Sequence, residues 1–124
     1  MGKDKKTATW SSTVPNEDYA AAAAFLALVM VPARVPAVIK KLRGAGIQAY
    51  RAADLFRASR TKLPKKDDRP CREAIAKIRA GEAIAPVLLV RDPPRGTVII
   101  ADGYHRVCAA VRIDPDVVLH CKIV

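Results

Sequence analysis

The sequence predicts a small α/β (α+β) domain, in which a mixed sheet is flanked by helices and an added pair of helices lies at the N-terminal end. Three observations support this fold class. Residues 86–90 and 97–101 are short apolar runs separated by a proline- and glycine-containing turn, as in an antiparallel strand pair. Residues 35–42 and 70–78 carry apolar side chains at helical spacing. A chain of 124 residues with 51% apolar content suits one domain with one core.

The N-terminal third is predicted to contain two helices. Pro15 is followed by Asn16, Glu17 and Asp18, which favours a helix start with acids in its first turn. This helix should run to about Val31 before a proline ends it. A second, amphipathic helix over residues 35–43 should close at the glycines that follow. Residues 13–46 are therefore expected to form an N-terminal helical layer. Residues 1–12 are polar and aperiodic, so we expect a flexible tail there.

Residues 47–124 are expected to form the core of the domain. Their predicted elements, in order, are a short extended segment at 47–50, a single helical turn at 52–57, a charged loop at 60–69, a helix from Pro70 to Gly81, the strand pair, a helix at 104–112 and a last strand at 117–124. The break between the paired strands suits an antiparallel hairpin.

The long apolar run over residues 20–31 is too short to span a bilayer, so no membrane partner is expected. Its nearly all-round apolarity indicates burial against the domain or against a second copy, which predicts a homodimer through residues 15–31. Lysines before the run would also fit a secretory signal, but Glu17 and Asp18 directly precede it. A cytoplasmic location is therefore expected.

The excess positive charge lies in the middle of the chain. The formal net charge is +10, and residues 34–79 hold fourteen basic and four acidic residues. We call residues 34–79 the basic block. Such a block favours an anionic partner, either a nucleic acid, a nucleotide or an acidic protein, although a solvated surface is the simpler alternative. Aromatic residues make up 5% of the chain, which disfavours a base-stacking platform.

The cysteine pattern excludes two classes of protein. Cys71, Cys108 and Cys121 are odd in number, lie far apart and show no metal-ligand spacing. Neither a disulfide framework nor a zinc site is expected, and no haem site is expected. We predict reduced, mostly buried thiols. His120 alternates within the last strand and is interpreted as structural.

The segment from Asp102 to Arg106 is the strongest candidate site. An apolar run ends there at Asp-Gly, and a helix then opens with a histidine and an arginine. A glycine permits a close backbone approach, and free N–H groups at a helix start attract anions. The simpler alternatives are that Asp102 is an ordinary turn or cap residue, and that the two basic side chains only face solvent.

Over about residues 47–124, the chain resembles the ParB/sulfiredoxin superfamily in the order of its elements. That order is a helix, the run "IAPVLLV", a turn, the run "TVIIADGYHRVCAA" and a strand. The DGYHR segment is most similar to the DGxHR branch, which includes free-serine kinases that use a nucleotide. It is less similar to the GGCHR of sulfiredoxins and the GERR of chromosome-partitioning proteins.

This resemblance implies that the backbone at Gly103 and the side chains of His105 and Arg106 contact nucleotide phosphates, with Tyr104 packing or touching the nucleotide edge. Asp102 would lie near the transferred phosphate or its Mg²⁺. ATP, ADP or CTP with Mg²⁺ are the implied cofactors. The further residues that the site could use are the acids Asp67 or Asp68, between which spacing does not choose, the weaker candidate Glu82, and the cations Arg69 and Arg72.

Two departures from the superfamily narrow the expected activity. Sulfiredoxin chemistry needs a cysteine where this chain has Tyr104, so that activity is excluded. Chromosome-partitioning proteins carry a helix-turn-helix domain after this one, and the sequence stops at Val124. Sequence-specific centromere binding is therefore not expected.

Three functions remain open. The first is a nucleotide- or phosphate-binding domain, with Mg-dependent phosphotransfer or nucleotide hydrolysis as its catalytic form. The second is a non-catalytic nucleic-acid-binding or nuclease-like module that uses the basic block. The third is an interaction protein that keeps the fold without the chemistry.

Overall fold

Helices cover both faces of a four-stranded sheet in the computed structural model, which describes residues 8–124. The helices are α1 (Asn16–Val29), α2 (Val35–Gly44), α3 (Ala52–Ser59), α4 (Arg69–Arg79) and α5 (Tyr104–Ile113). The strands are β1 (Thr9–Trp10), β2 (Gln48–Arg51), β3 (Ala83–Ile84), β4 (Val87–Asp92), β5 (Thr97–Asp102) and β6 (Val118–Ile123). The predicted α+β class is confirmed.

The strand order in the larger sheet is β2-β6-β4-β5. Strands β2 and β6 are antiparallel, β6 and β4 are parallel, and β4 and β5 form the predicted antiparallel hairpin. Val90 lies opposite Ile99 in that hairpin. Strand β5 is therefore an edge strand, and its outer edge has no partner strand among residues 8–124.

The apolar run of β4 is buried on both faces of the sheet. Leu88 faces a cluster built with α1 and α2, whereas Leu89 faces a cluster built with α3 and α5. Successive residues of a strand point to opposite faces, so a continuous apolar run suits a strand covered by helices on both sides. Helix α4 packs on the outside of α5, where Cys71 and Cys108 share a third cluster. The three cysteines are free and buried, as predicted.

Helix α1 buries only one stripe against the sheet. Tyr19, Ala22 and Leu26 are buried, but Leu28 on the opposite side is 83% exposed. The helix ends at Val29, two residues before the predicted end. Within residues 8–124, no helix combines the length and the apolar character needed to cross a membrane.

Two local predictions need correction. The segment after residue 51 is longer than a single turn, because α3 continues to Ser59 and ends with Arg60 in the left-handed conformation, φ 55°. The flexible tail predicted over residues 1–12 is wrong for Thr9 and Trp10, which pair in parallel with β3. Trp10 also stacks on His120 at 5.2 Å, which agrees with a structural histidine. The remainder of that tail, residues 1–7, lies outside the described residues.

Candidate functional site at the start of helix α5

The turn between β5 and α5 requires a glycine. Gly103 has φ +109°, a conformation that L side chains rarely adopt. A Cβ at this position would lie 3.1 Å from both γ-carbons of Val87, which is fully buried. The predicted tight approach of the backbone is therefore present. Here the chain turns at once from the edge strand into the helix.

The start of α5 has no side-chain cap within the described residues. The N–H of Val107 donates to the carbonyl of Gly103 at 3.1 Å, as the first hydrogen bond of the helix. The N–H groups of residues 104–106 precede that bond, so the helix itself provides no acceptor for them. They form the positive end of the α5 dipole.

A cavity of about 620 Å³ runs along the outer edge of β5 and reaches this helix start. It is lined by all six residues of β5, by Ala21, Phe25 and Val29 of α1, by Ser59 and Thr61, by Asp92 and Arg95, and by Gly103, Tyr104 and His105. Consecutive strand residues point to opposite faces, so their joint presence places the cavity at the strand's edge. Its size is within the usual range for small-molecule sites.

The polar side chains that line the cavity lie at the two opposite ends of β5. Six strand residues extend roughly 17 Å at about 3.4 Å per residue. Arg95 lies beside the first end and pairs with Asp92 at 3.1 Å. Thr61 lies beside the second end, because the next residue, Lys62, contacts Tyr104. Hydroxyl and imidazole groups therefore surround the α5 start, whereas Phe25 and Val29 supply an apolar wall.

The charged loop between α3 and α4 is attached to α5. The Tyr104 hydroxyl donates to the carbonyl of Lys62, and the Arg112 guanidinium donates to the carbonyl of Pro64. Five exposed basic side chains belong to this loop and the residue that follows it: Arg60, Lys62, Lys65, Lys66 and Arg69. The attachment therefore holds positive charge beside the α5 start, where it attracts anions.

Tyr104 serves as an anchor. Burial raises the pKa of Tyr104 to about 12. The phenol is therefore neutral near pH 7 and cannot act there as a phenolate base. Its ring also meets the ring of His105 edge-on at 5.1 Å, which helps to orient the histidine.

The structure distinguishes Asp67 from Asp68, the two acids between which the sequence spacing does not choose. Asp68 Oδ2 accepts the N–H of Cys71 at 3.0 Å and so caps α4. The same oxygen lies 3.7 Å from His105 Nε2. Asp67 is exposed. Asp68 is thus the acid that reaches the α5 start, but its carboxylate already serves as a helix cap.

Arg106 points into the protein rather than into the cavity. Its Nη1 donates to the carbonyls of Ala85 at 2.7 Å and Pro86 at 3.2 Å. Its Nη2 donates to Asp102 Oδ2 at 2.6 Å and lies 3.4 Å from Asp18 Oδ2. Arg106 therefore ties the turn to the segment before β4 and to the first turn of α1. This geometry favours a structural role over the phosphate contact that the resemblance implies.

Asp18 is the residue of this cluster that sequence reasoning missed. Its sequence context predicts only an acid that favours the start of α1, and 88 positions separate it from Arg106. Burial raises the pKa of Asp102, and nearby Asp18 raises it further, while Arg106 acts in the opposite direction. No local sequence signal pairs residues so far apart.

The Asp18–Asp102 pair fits a resident Mg²⁺ poorly. The Arg106 guanidinium lies against one carboxylate oxygen of each acid, so a cation would have to displace a fixed positive charge. Burial also favours the protonated form of Asp102, which binds metal less well. In the described part of the chain, no group of three or more His, Cys, Asp or Glu side chains could hold a metal ion.

The remaining candidates lie outside the cavity. Arg69 pairs with Glu73 at 3.3 Å, and Arg72 is exposed on the same helix. Both belong to the first turn of α4, which Asp68 places beside His105. Glu82 follows the other end of α4, is exposed and does not line this cavity.

The basic block does not form one surface. The exposed Lys40, Lys41 and Arg43 belong to α2, which packs on the opposite face of the sheet from α3 and α5. Arg43 lies over the Tyr19 ring at 4.2 Å. Of the basic block, only Ser59 and Thr61 line the cavity.

Comparison of the chain with protein-family models, with curated proteins and with solved structures finds no match. Fold and site together define a small α+β domain in which an uncapped helix start opens into a cavity along an edge strand. The resemblance to the ParB/sulfiredoxin superfamily stays a prediction.

Proposed function

We propose that this domain binds a nucleotide, or another small molecule that carries a phosphate, in the cavity along β5. The phosphate would lie at the start of α5. The observation that carries the proposal is the uncapped helix start that opens into a cavity of about 620 Å³. Free N–H groups and the positive end of a helix dipole form a ready anion site. The attached basic loop adds long-range attraction for the same ligand.

Each part of the cavity has a role in this proposal. Gly103 lets the chain turn directly from β5 into α5, because its φ of +109° and its 3.1 Å approach to Val87 leave no room for a side chain. His105, which is exposed and lines the cavity, offers a ring N–H donor to the phosphate. Phe25 and Val29 offer an apolar wall for the base. Arg106 holds the turn in place from behind.

Phosphotransfer or nucleotide hydrolysis, with ATP, ADP or CTP as the substrate, is the catalytic form of the proposal. Asp102 is the acid that lines the cavity at this end, and Asp68 is engaged as a cap. Mg²⁺ would enter with the nucleotide phosphates rather than occupy a site of its own. Because Asp102 is paired with Arg106, binding is better supported than turnover.

A thermal-shift panel tests the binding proposal. ATP, ADP, CTP and inorganic phosphate, each with and without Mg²⁺, are compared with adenosine, which lacks the phosphate. A ligand at about 100 times its Kd stabilises the folded state by about 2.7 kcal/mol, so the melting temperature should rise clearly. No shift with any phosphate-bearing ligand would contradict the proposal.

A charge-matched pair of variants locates the site. Thr61→Glu places a carboxylate in the cavity and should abolish the ligand-induced shift. Ala58→Glu adds the same charge at an exposed position of α3 that does not line this cavity, so the shift should persist. Equal loss in both variants would indicate only a general charge effect. Arg106→Ala is unsuitable because it removes hydrogen bonds that hold the turn.

Nucleic-acid binding through the loop at residues 60–69 is the second candidate. The observation that favours it is the set of five exposed basic side chains on a segment anchored to α5. Affinity for DNA or RNA should then fall steeply with salt. Lys65→Glu with Lys66→Glu should abolish binding, whereas Lys40→Glu with Lys41→Glu on the opposite face should weaken it less. A homodimer through residues 15–31 also stays a proposal, and it concerns another surface.

A further inference from the structure

Helix α1 presents an apolar stripe to solvent on the side opposite its buried stripe. Ala20, Ala24 and Leu28 are spaced four residues apart, so they lie on one face of the helix, and all three are exposed. Leu28 is 83% exposed, and Val31 just beyond the helix is 63% exposed. Within the described residues no element covers this stripe, which makes it a candidate contact surface.

We propose that a second copy of this chain covers the stripe, with the two α1 helices packed antiparallel about a two-fold axis at Ala24. In such a pair, each residue faces the one equally far on the other side of Ala24. Leu28 of one copy then faces Ala20 of the other. A large side chain meets a small one twice, and Ala24 meets itself at the axis, where small residues allow close packing. The stripe is therefore complementary to itself, as a two-fold interface requires.

The charges at the ends of the helix also favour this arrangement. An antiparallel pair brings the start of one α1, which carries Glu17, towards the end of the other, which Arg34 follows in the next turn of the chain. Both charged side chains are exposed, and neither joins an ion pair with another residue in the described range 8–124. A parallel pair would instead place Glu17 against Glu17, and it would put a leucine layer beside two alanine layers, so the helices could not pack evenly along their length. The antiparallel pair is thus the complementary one.

The dimer should be weak, and salt should strengthen it. A helix of 14 residues is about 21 Å long at 1.5 Å per residue, so the contact is smaller than a standard stable interface. Each copy also carries a formal charge of +10, and the repulsion between the copies is screened as salt increases. Anion binding by the basic loop would respond to salt in the opposite direction.

Sedimentation of the full chain, from a few micromolar to several hundred micromolar, tests the proposal. The native chain should show a reversible dimer that salt strengthens. Leu28→Glu should stay monomeric over this range, because dimerisation would bury an unpaired carboxylate. Ile47→Glu adds the same charge at a side chain that is 40% exposed and lies outside α1, so its dimer should persist. A native chain that is monomeric at all concentrations, or a dimer that Leu28→Glu leaves unchanged, overturns the proposal.

Cysteine crosslinking tests the register. The native cysteines are buried, so crosslinking through a newly introduced exposed thiol can be measured without interference from them. Ala24→Cys should form a disulfide between copies at the axis. Ala20→Cys should not, because antiparallel packing places the two positions about 12 Å apart along the helices, beyond disulfide reach. Equal crosslinking of both variants would indicate a parallel pair and overturn the register, and no crosslinking of Ala24→Cys would do the same.

Discussion

Helices α4 and α5 start close together, and the two starts are built differently. At α4, Asp68 places a carboxylate oxygen 3.0 Å from the N–H of Cys71. At α5 the preceding residue is Gly103, and no side chain of residues 8–124 caps the helix. The first helix start carries its own anion, whereas the second opens into the cavity.

The difference separates a helix start that the chain caps from one that it leaves uncapped. Both helices present free N–H groups and a positive dipole end. Asp68 neutralises the start of α4 and also lies 3.7 Å from His105 of α5. A ligand anion is therefore expected at α5, where the chain supplies no acceptor of its own. Four predictions test this contrast, in decreasing order of expected effect.

Gly103→Ala should break the start of α5. The positive φ and the 3.1 Å approach to buried Val87 combine strain with overpacking, so we expect a loss of roughly 2–4 kcal/mol in unfolding free energy. Gly96→Ala is the control, because its φ is +65° but an added Cβ would meet nothing within 4 Å. Urea denaturation measures both variants. Equal losses would show that contact with Val87 is unimportant.

Asp68→Ala should convert the start of α4 into an open one. Loss of the cap should cost about 0.5–2 kcal/mol of unfolding free energy. Added inorganic phosphate should then stabilise this variant more than the native chain, because the anion can replace the missing carboxylate. Asp67→Ala removes a neighbouring exposed acid and should change stability by less than about 0.5 kcal/mol. Similar behaviour of the two variants would argue against the cap.

Tyr104→Phe should loosen the basic loop from α5. We expect a loss of about 1 kcal/mol in unfolding free energy, the usual net value of one hydrogen bond. Because the folded-state pKa of Tyr104 is raised from 10.0 to about 12, the stabilisation by its hydroxyl is fully present below pH 10. It is lost as pH rises through about 12. Urea denaturation from pH 8 to 12 should show the difference between native chain and variant diminishing, and a constant difference would contradict this account.

Asp102→Asn removes the carboxylate that precedes Gly103, and it should change how the stability of the chain depends on pH. Burial raises the folded-state pKa of Asp102 above 3.8, so the ionised form is disfavoured in the folded chain. The stability of the native chain relative to the variant should therefore decrease as pH rises from below 3.8 towards neutrality. Asp54→Asn should show the opposite pH dependence, because a hydrogen bond from Arg51 lowers the pKa of Asp54. The stability of the native chain relative to Asp54→Asn should decrease as pH falls.

Local patterns predicted most of the elements. Helical spacing located α2 and α4, and the apolar runs located the β4–β5 hairpin. Asp-Gly before a basic helix start identified the α5 turn. These predictions depend on residues within about one helical turn or one strand of each other, so a single sequence contains the necessary information.

Long-range packing decided the rest. The short strand at Thr9–Trp10 exists because β3 offers it a partner, and two residues show no periodicity. Arg106 turns away from the cavity because Ala85 and Asp18 lie behind it. Neither neighbour is near Arg106 in sequence, so no local pattern could reveal them.

The sequence by itself determined the fold class, the positive charge of the chain and the position of an anion-attracting helix start. The tertiary structure decided which groups remain available there. It committed Asp68 to a cap and Arg106 to the turn, and it placed the uncapped start of α5 in the lining of a cavity beside the edge of β5. The physical reason is that periodicity and turn chemistry act over a few residues, whereas the partner of a polar side chain is set by how distant elements pack.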